Sequence, residues 1–389
     1  MKPSGIKELF YITHKDNISS MLENGILSHN RILNNRIPFT SIYDNKIVTN
    51  REGIKTPDEK SLWEYANLYF QARNPMLFRV IREKSEDNIA VIGVSNSILF
   101  NAAIFITNGN AASSATVIWP RSEGIKNLSK MIRKDLFLEY WSDTDGSKRK
   151  IMAECLVPDR ISPDLIRSIY VATFELCKTI KSQVSSQNIH FLHDPKLFFS
   201  PNIKSIVCPN ISLVEGDMFF SRFHVLTISV NTVGVMGRGV ASRAKYQFPD
   251  VYVNYQDLCK RKILVMGKPY LIKRERSLDS DLADDPGSLS VPNEIKWFML
   301  FPTKTDWRNE SDIRGIEQGL SWIQSKYQSW GIKSLAMPAL GCGLGRLDWK
   351  DVGPLMCKYL KKLSIPVQIY LPQEMTIDPK FLTPAYLLK

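Results

Sequence analysis

A glycine-rich loop late in the chain constrains the fold more than any other stretch. The apolar run 334–338 predicts a buried strand, and Asp348 opens an amphipathic helix a few residues later. Between them, three glycines stand at alternate positions, namely Gly341, Gly343 and Gly345. Glycine lets a backbone approach a ligand closely, and free N–H groups before a helix favour an anion. The order strand, loop and helix therefore predicts a phosphate-binding turn in a layered α/β domain.

A second glycine loop lies upstream, at residues 231–239, again after an apolar run and before a helical pattern. Two such loops in one domain predict a diphosphate held between them. A lone glycine loop is more often a tight turn, and a Rossmann loop belongs to the first strand–helix turn of its domain. No Lys-Ser/Thr follows either loop, so a P-loop is not indicated.

Length and composition indicate an ordered protein of two domains. The chain has 389 residues, of which 44% are hydrophobic, and a single core is seldom that large. No apolar run approaches the roughly 20 residues of a membrane span, and the N-terminus lacks the apolar stretch of a signal peptide. The six cysteines form no CxxC pair, which predicts neither a metal site nor disulfides. We therefore expect a cytoplasmic protein with no membrane partner. Its formal net charge of +12 is compatible with a polyanionic partner.

The boundary between the domains is predicted by a polar stretch rich in Ser, Gln, Asn and Pro. We place a first domain at residues 1–178, a linker at 179–204, a second domain at 205–375 and a C-terminal tail at 376–389. The second domain alternates strand and helix patterns, which indicates α/β layering. Within it, the acidic stretch 277–293 contains Gly and Pro and predicts a surface loop.

One carboxylate in the N-terminal half stands in an unusual place. Glu154 lies within the apolar strand pattern 151–157, where simple alternation would put it on a solvent face. Met152 and Leu156 share that face, so a half-apolar cleft is the alternative, and it suits a carboxylate that stabilises a forming cation. By themselves, His14 and Arg51 predict only a turn histidine and a solvated charge.

Residues 120–150 are basic with embedded aromatic residues. Cations for phosphates and aromatic rings for stacking are the usual means of binding a single strand, and an ordinary solvated helix face is the alternative. The candidate DNA-binding residues are Lys126, Lys130, Arg133, Lys134, Trp141 and Arg149.

Three ordered motifs of the C-terminal half, at 233–239, 301–307 and 340–345, resemble those of the DarG antitoxin macrodomain. The resemblance implies a three-layer α/β fold, a mixed sheet flanked by helices, that binds ADP-ribose. Asp217 would receive the adenine amino group and Asn231 would contact the distal ribose. The loop residues implied in ADP-ribose binding are Gly234, Val235, Met236, Gly237, Gly341, Cys342, Gly343, Leu344 and Gly345.

The same resemblance implies a catalytic role for Lys304, which would take part in cutting ADP-ribose from thymine. A lysine can attack an anomeric carbon if burial or a neighbouring cation lowers its pKa. A surface lysine that extends into solvent after a strand is the ordinary alternative.

Segments of the N-terminal half, at 11–14, 68–77, 107–111 and 153–158, resemble the DarT family of ADP-ribosyltransferases. The resemblance implies an α+β transferase fold that uses NAD+ as substrate and acts on thymines of single-stranded DNA. Glu154 would stabilise the ribosyl cation, and Arg51 would bind the diphosphate or help to deprotonate the base. The residues implied in NAD+ binding are Tyr11, Thr13, His14, Arg51, Tyr69 and Asn110.

Together, the two resemblances imply a natural fusion of a DNA-modifying toxin with its antidote. Single-stranded DNA, NAD+ and ADP-ribosylated DNA would be its partners, and we expect the two domains to contact each other. Asn108 stands where the resemblance leads us to expect an acidic residue. An inactive transferase-like domain that binds DNA or NAD+, fused to an ADP-ribose-binding or hydrolase macrodomain, is therefore the alternative. A transferase that modifies protein is a third hypothesis.

Overall fold

The structure, a computed structural model, describes residues 5–42, 45–184, 188–276, 278–285, 295–373 and 375–389. The chain forms two compact units. The first comprises Met1–Phe198 and Asp279–Pro292, and the second comprises Phe199–Leu278 and Asn293–Lys389. Within the described ranges, the helices are too short or too polar to cross a bilayer.

The first unit is built on a mixed, largely antiparallel sheet in the order β10-β9-β4-β1-β3-β7-β5-β6, with a separate β2–β8 ribbon. Its strands are β1 (Glu8–His14), β2 (Ile26–Leu27), β3 (Tyr65–Tyr69), β4 (Ile89–Ser95), β5 (Phe105–Thr107), β6 (Ile118–Pro120), β7 (Glu154–Pro158), β8 (Arg160–Ile161), β9 (Ile166–Val171) and β10 (His190–His193). The central strand β4 is apolar on both faces, because residues on either side of the sheet pack against it.

Helices surround this sheet and lie mostly between strands. They are α1 (Ile18–Asn24), α2 (His29–Asn34), α3 (Asn45–Glu52), α4 (Pro75–Lys84), α5 (Arg121–Met131), α6 (Ser147–Lys150) and α7 (Phe174–Gln183). Helix α4 begins where it does because Asn74 caps it, accepting from the Leu77 N–H at 3.0 Å, and Pro75 stands at the first helical position. The α+β class expected for this half is confirmed.

The second unit has a mixed sheet in the order β11-β12-β17-β16-β13-β15-β14. Its strands are β11 (Asn202–Cys208), β12 (Ile211–Glu215), β13 (Val225–Asn231), β14 (Tyr270–Ile272), β15 (Trp297–Lys304), β16 (Leu335–Pro338) and β17 (Val367–Tyr370). The inner strands are parallel, so their carboxyl ends share one edge of the sheet. The helices of the C-terminal half are α8 (Gly239–Gln247), α9 (Pro249–Lys260), α10 (Leu278–Leu282), α11 (Ile313–Trp330), α12 (Trp349–Leu360) and α13 (Pro384–Leu387). The expected α/β layering is confirmed.

Two local expectations differ from the structure. The proposed linker 179–204 carries β10, which pairs in parallel with β9, and the start of β11. Its polar composition reflects two exposed edge strands, and residues 185–187 lie outside the described residues. The C-terminal tail, for which docking and fraying were the alternatives, docks on the second unit, since Leu387 is buried and Trp349 donates its indole N–H to the Phe381 carbonyl at 3.1 Å.

The acidic stretch 277–293 was expected to be a surface loop, and its described part is not one. Residues 278–282 form α10, and both Leu282 and Ala283 are fully buried. Ser277 and residues 286–293 lie outside the described residues. The acidic composition does not predict exposure here, because Asp279 and Asp284 are paired with arginines of the first unit.

Candidate active sites

A buried carboxylate–arginine pair lies at the centre of the first unit. Glu154 begins β7 and is fully buried. Its side chain therefore faces neither solvent nor an open cleft, the two alternatives that the sequence left open. Arg51, at the end of α3, binds it through two contacts, Nη2 to Oε2 at 2.8 Å and Nη1 to Oε1 at 3.3 Å. The Arg51 side chain is 18% exposed. Arg51 therefore covers a carboxylate that no water reaches, and the pairing offsets the cost of burying the charge.

The turn after β5 holds the carboxylate from the other side. The Ala111 backbone N–H donates to Glu154 Oε1 at 2.8 Å, and the Glu154 N–H donates to Thr107 Oγ1 at 2.8 Å. Asn108 turns away from this pair and accepts from the Val117 N–H and from Arg149 Nη1. Asn108 and Arg149 thus shape the turn. This explains why a neutral residue at position 108, in place of the expected acidic one, is compatible with this fold.

A pocket opens in front of the pair. Among the predicted NAD+-binding residues, Tyr11, Arg51, Tyr69 and Asn110 line it. Glu154 lies behind Arg51 rather than on the pocket surface. His14 and Thr13 are engaged with the start of the next helix, where His14 Nδ1 accepts from the Asp16 N–H and Thr13 Oγ1 accepts from Asn17.

Several pocket residues were missed by sequence reasoning. His29 and Trp63 form an edge-to-face pair with ring centroids 4.4 Å apart, and burial lowers the pKa of His29 while Glu52 opposes that shift. Asp284 lines the same pocket although it lies far away in sequence. The Ser28 cap before His29 was a readable local signal for a helix start, but the sequence offered no signal for Asp284.

The predicted DNA-binding residues separate into two groups. Lys126, Lys130, Arg133 and Lys134 are exposed on and just after α5, where they remain candidates. Trp141 is only 1% exposed and donates its indole N–H to the Leu282 carbonyl at 2.9 Å, so the expectation that it stacks on a base is wrong. Arg149 is half-buried and is held by the turn at Asn108.

In the second unit, both glycine loops follow the carboxyl ends of neighbouring parallel strands, β13 and β16. A Cβ on Gly345 would lie 2.4 Å from the Gly341 carbonyl oxygen and 2.3 Å from Ser311 Oγ, so only glycine fits. Leu344 approaches Gly239, which brings the two loops together. Within the part of the chain that the structure describes, the exposed N–H groups of Gly343 and Leu344 have no protein acceptor. Such a turn can accept an anion.

Two polar side chains support these loops. Asn231 is buried and shapes the first loop, donating to the Val235 carbonyl at 2.6 Å and accepting from the Val233 N–H and the Tyr255 hydroxyl. Its contact with a ribose stays a prediction. Asp217 accepts from the Phe219 N–H at 3.1 Å and pairs with Arg243 at 2.6 Å. Cys342 is buried, which raises the pKa of its thiol to about 12, and its backbone N–H donates to the Ala339 carbonyl at 3.2 Å.

Lys304 ends β15, the neighbour of β13, and its side chain reaches the loop that follows β16. Its Nζ donates to the Asn309 carbonyl at 2.8 Å and to the Leu344 carbonyl at 3.4 Å. Partial burial lowers the pKa of Lys304, Arg346 lowers it further and Glu310 opposes the shift. The amine is therefore held beside the glycine loop, and its pKa is lowered. Both are conditions for a nucleophilic lysine.

Comparisons with known proteins agree with this arrangement. Residues 10–199 match the profile of a family described as ssDNA thymidine ADP-ribosyltransferase, DarT. The chain is 56% identical over 385 residues to a DNA ADP-ribosyl transferase–DNA ADP-ribosyl glycohydrolase fusion protein of Thermosipho africanus, with 98% of each chain covered. A solved structure of Thermosipho africanus DarTG in complex with ADP-ribose superposes with a TM-score of 0.94 at 55% identity, covering 98% of this chain and 100% of that one.

A relative of the C-terminal half alone was also found. The DNA ADP-ribosyl glycohydrolase of Thermus aquaticus is 33% identical over 165 residues, which is 42% of each chain. The two halves of the chain are thus similar to proteins named for opposite reactions.

Proposed function

The chain belongs to the family of fused DNA ADP-ribosyltransferase and DNA ADP-ribosyl glycohydrolase proteins, and from that premise we propose that it both installs and removes one DNA modification. The first unit transfers ADP-ribose from NAD+ to thymine in single-stranded DNA. The second unit hydrolyses the thymidine-linked ADP-ribose. The observation that carries this proposal is the 56% identity to a fusion protein over nearly the full length of both chains.

The transferase chemistry is assigned to Glu154 and Arg51. The bond from C1″ of the ribose to nicotinamide breaks, and the centre that forms is oxocarbenium-like, as in glycoside hydrolysis. A fixed carboxylate stabilises that charge without reorganisation, because Ala111 and Thr107 already hold Glu154 in place. The thymine N3 then bonds to C1″ and loses its proton, a step in which a positioned base contributes roughly 10²–10⁴-fold.

Arg51 has the first contact with an incoming substrate, because it lines the pocket and Glu154 lies behind it. We assign its guanidinium to the diphosphate or to helping the deprotonation of the base, in which its charge stabilises the thymine N3 anion while the N3 proton leaves to water. When Arg51 turns from Glu154 to the substrate, the carboxylate becomes free to order the ribose 2″-hydroxyl. The assignments of Tyr11, Tyr69 and Asn110 to NAD+ binding rest on their place in the same pocket.

The hydrolase chemistry is assigned to Lys304 and the two glycine loops. The loops hold the diphosphate, and the Lys304 amine, held at Leu344, attacks C1″ of the adduct. The C1″–N3 bond breaks, thymine takes up a proton at N3, and water then releases ADP-ribose from the amine. NAD+ is a substrate in this scheme, and the cytoplasm, where NAD+ and DNA are both present, is the proposed compartment.

Fusion keeps the two activities at a high effective concentration, since an adduct made by one chain is always near a hydrolase. The modification is therefore transient unless the second unit fails. Lys304→Ala is expected to make expression toxic and to leave thymine-linked ADP-ribose in cellular DNA. Adding Glu154→Ala to that variant is expected to restore growth.

The matched control is Lys326→Ala, which removes a lysine on α11 away from the loops and should leave growth normal. Normal growth and unmodified DNA in the Lys304→Ala strain would remove the basis for opposed activities and favour the inactive transferase. ADP-ribose found on protein instead of DNA would favour the third hypothesis.

A further inference from the structure

A short segment of the C-terminal half packs within the first unit. Residues 279–285, which we call the inserted segment, follow β14 in sequence but belong to the unit that contains the transferase pocket. Leu282 and Ala283 are fully buried there. Trp141, itself 1% exposed, donates its indole N–H to the Leu282 carbonyl at 2.9 Å. An exposed loop does not have this burial or this hydrogen bond.

Two ion pairs on α4 fix the segment at its ends. Arg79 Nε binds Asp284 Oδ1 at 2.7 Å, and Arg82 Nε binds Asp279 Oδ1 at 3.0 Å. The Arg79 side chain is fully buried and also binds Glu83 at 3.0 Å. A buried arginine that loses one of its carboxylates leaves charge and hydrogen-bond donors unmatched, so its position depends on the partner that remains.

The two acidic residues differ in their relation to the pocket. Asp284 lines it together with Met76, which is on the same helix as Arg79, and Tyr69. Tyr69 is paired directly with Glu154 between β3 and β7. Burial first, then the charges of Glu154 and Asp284, raise the pKa of the Tyr69 hydroxyl, so both carboxylates lie within electrostatic reach of it. Among the described residues, Asp279 is not part of the pocket lining.

We propose that Asp284 is a positioning residue of the transferase: it holds Arg79 and with it the Tyr69–Met76 wall of the NAD+ pocket. The proposal rests on the proposed transferase function of the first unit. Its consequence is that the transferase pocket is completed by residues encoded within the antidote half. A chain that loses its C-terminal half keeps Tyr69 and Met76 but loses Asp284, which holds them through Arg79, so truncation disarms the transferase instead of releasing it.

The test uses the full chain and follows nicotinamide release from NAD+ in the presence of a thymine-containing oligonucleotide. Asp284→Ala is expected to raise the KM for NAD+ at least about tenfold with kcat little changed, because a wall that binds the substrate is displaced. Asp284→Asn keeps an oxygen acceptor for Arg79 and is expected to recover most of that loss. Asp279→Ala removes the other ion pair of the same segment and should leave the KM unchanged, although both alanine variants lower the melting temperature.

Each outcome decides something. If the KM for NAD+ of Asp284→Ala stays within about twofold of the unsubstituted chain, Asp284 does not position the pocket. If Asp279→Ala raises the KM as much as Asp284→Ala does, the segment acts through stability alone and the proposal is wrong. If Asp284→Ala does not fold, Arg79→Lys decides, because it removes the Nε contact to Asp284 and keeps the charge: the KM for NAD+ must rise, and an unchanged KM would overturn the proposal. If the unsubstituted chain releases no nicotinamide with or without DNA, the proposed transferase function itself is wrong.

Discussion

Lys304 lies within electrostatic reach of two exposed side chains of opposite charge, Arg346 and Glu310, which pair with each other at 3.4 Å, and these charges make its reactivity testable. Partial burial lowers its pKa first, Arg346 lowers it further, and Glu310 raises it. Only the neutral amine can attack a carbon, so the hydrolase rate should rise with pH as Lys304 loses its proton. Because the pKa of Lys304 lies below the ordinary lysine range, that rise should come at a lower pH than for an exposed lysine.

Substitution of each neighbour should move the pH profile in opposite directions. Arg346→Ala removes a cation, raises the pKa of Lys304 and shifts the rise to higher pH, whereas Glu310→Gln removes an anion and shifts it to lower pH. Both side chains are more than half exposed, so solvent screening keeps each shift of the pH profile small. Single-turnover release of ADP-ribose from a modified oligonucleotide measures this, with Lys326→Ala on α11 as control. Shifts in the same direction, or none, would argue against attack by Lys304.

At the level of single residues, the sequence identified residue types better than their surroundings. Glu154 was recognised as unusual because its strand is apolar, and burial under Arg51 gives the reason. Trp141 was misjudged because aromatic residues among lysines suit both a DNA surface and a core. The partner that buries it, Leu282, is distant in sequence, so no local pattern could have distinguished the two.

The glycine loop after β16 is the element whose shape depends most on its sequence. Gly345 packs so closely on Gly341 and Ser311 that an added methyl group would collide with a backbone oxygen and a hydroxyl. Gly345→Ala should therefore force the loop open and weaken ADP-ribose binding by at least about tenfold, because the backbone N–H groups would no longer point toward the diphosphate. Calorimetric titration with ADP-ribose measures the effect.

Gly53→Ala is the matched control, because a Cβ there meets nothing within 4 Å. It should leave ADP-ribose affinity unchanged. Unchanged affinity in Gly345→Ala as well would mean that the loop backbone does not hold the diphosphate.

From β13 onward, the alternation of strands and helices in the second unit was predictable from the sequence, whereas β11 and β12 were not predicted. Alternating periodicity is strong there, and caps such as Asp348, which accepts from the Lys350 N–H, mark the starts of helices. The edge strand β10 and the helix α10 were missed for a physical reason. Both are short, and both are held by partners outside their own segment, β9 for β10 and Arg82 for α10, rather than by their own apolar periodicity.

On the scale of the whole molecule, the proposed function is a balance between transfer of ADP-ribose to DNA and its removal. The chain belongs to a family of fusion proteins, and each half carries a site whose geometry suits one direction. We propose that Glu154 stabilises the forming cation and that Lys304 acts beside a loop that holds the diphosphate. A chain with both sites should accumulate little modified DNA. A chain that has only the transferase site should accumulate much more.

The most direct measurement is the mass of a thymine-containing single-stranded oligonucleotide after incubation with NAD+ and the purified chain. With Lys304→Ala, the account predicts that the oligonucleotide gains one ADP-ribose and keeps it. With the unsubstituted chain, the adduct should be transient while NAD+ is consumed, and with Glu154→Ala combined with Lys304→Ala no adduct should form. A Lys304→Ala protein that leaves the oligonucleotide unmodified, or an adduct that persists equally with Lys304 intact, would contradict the account.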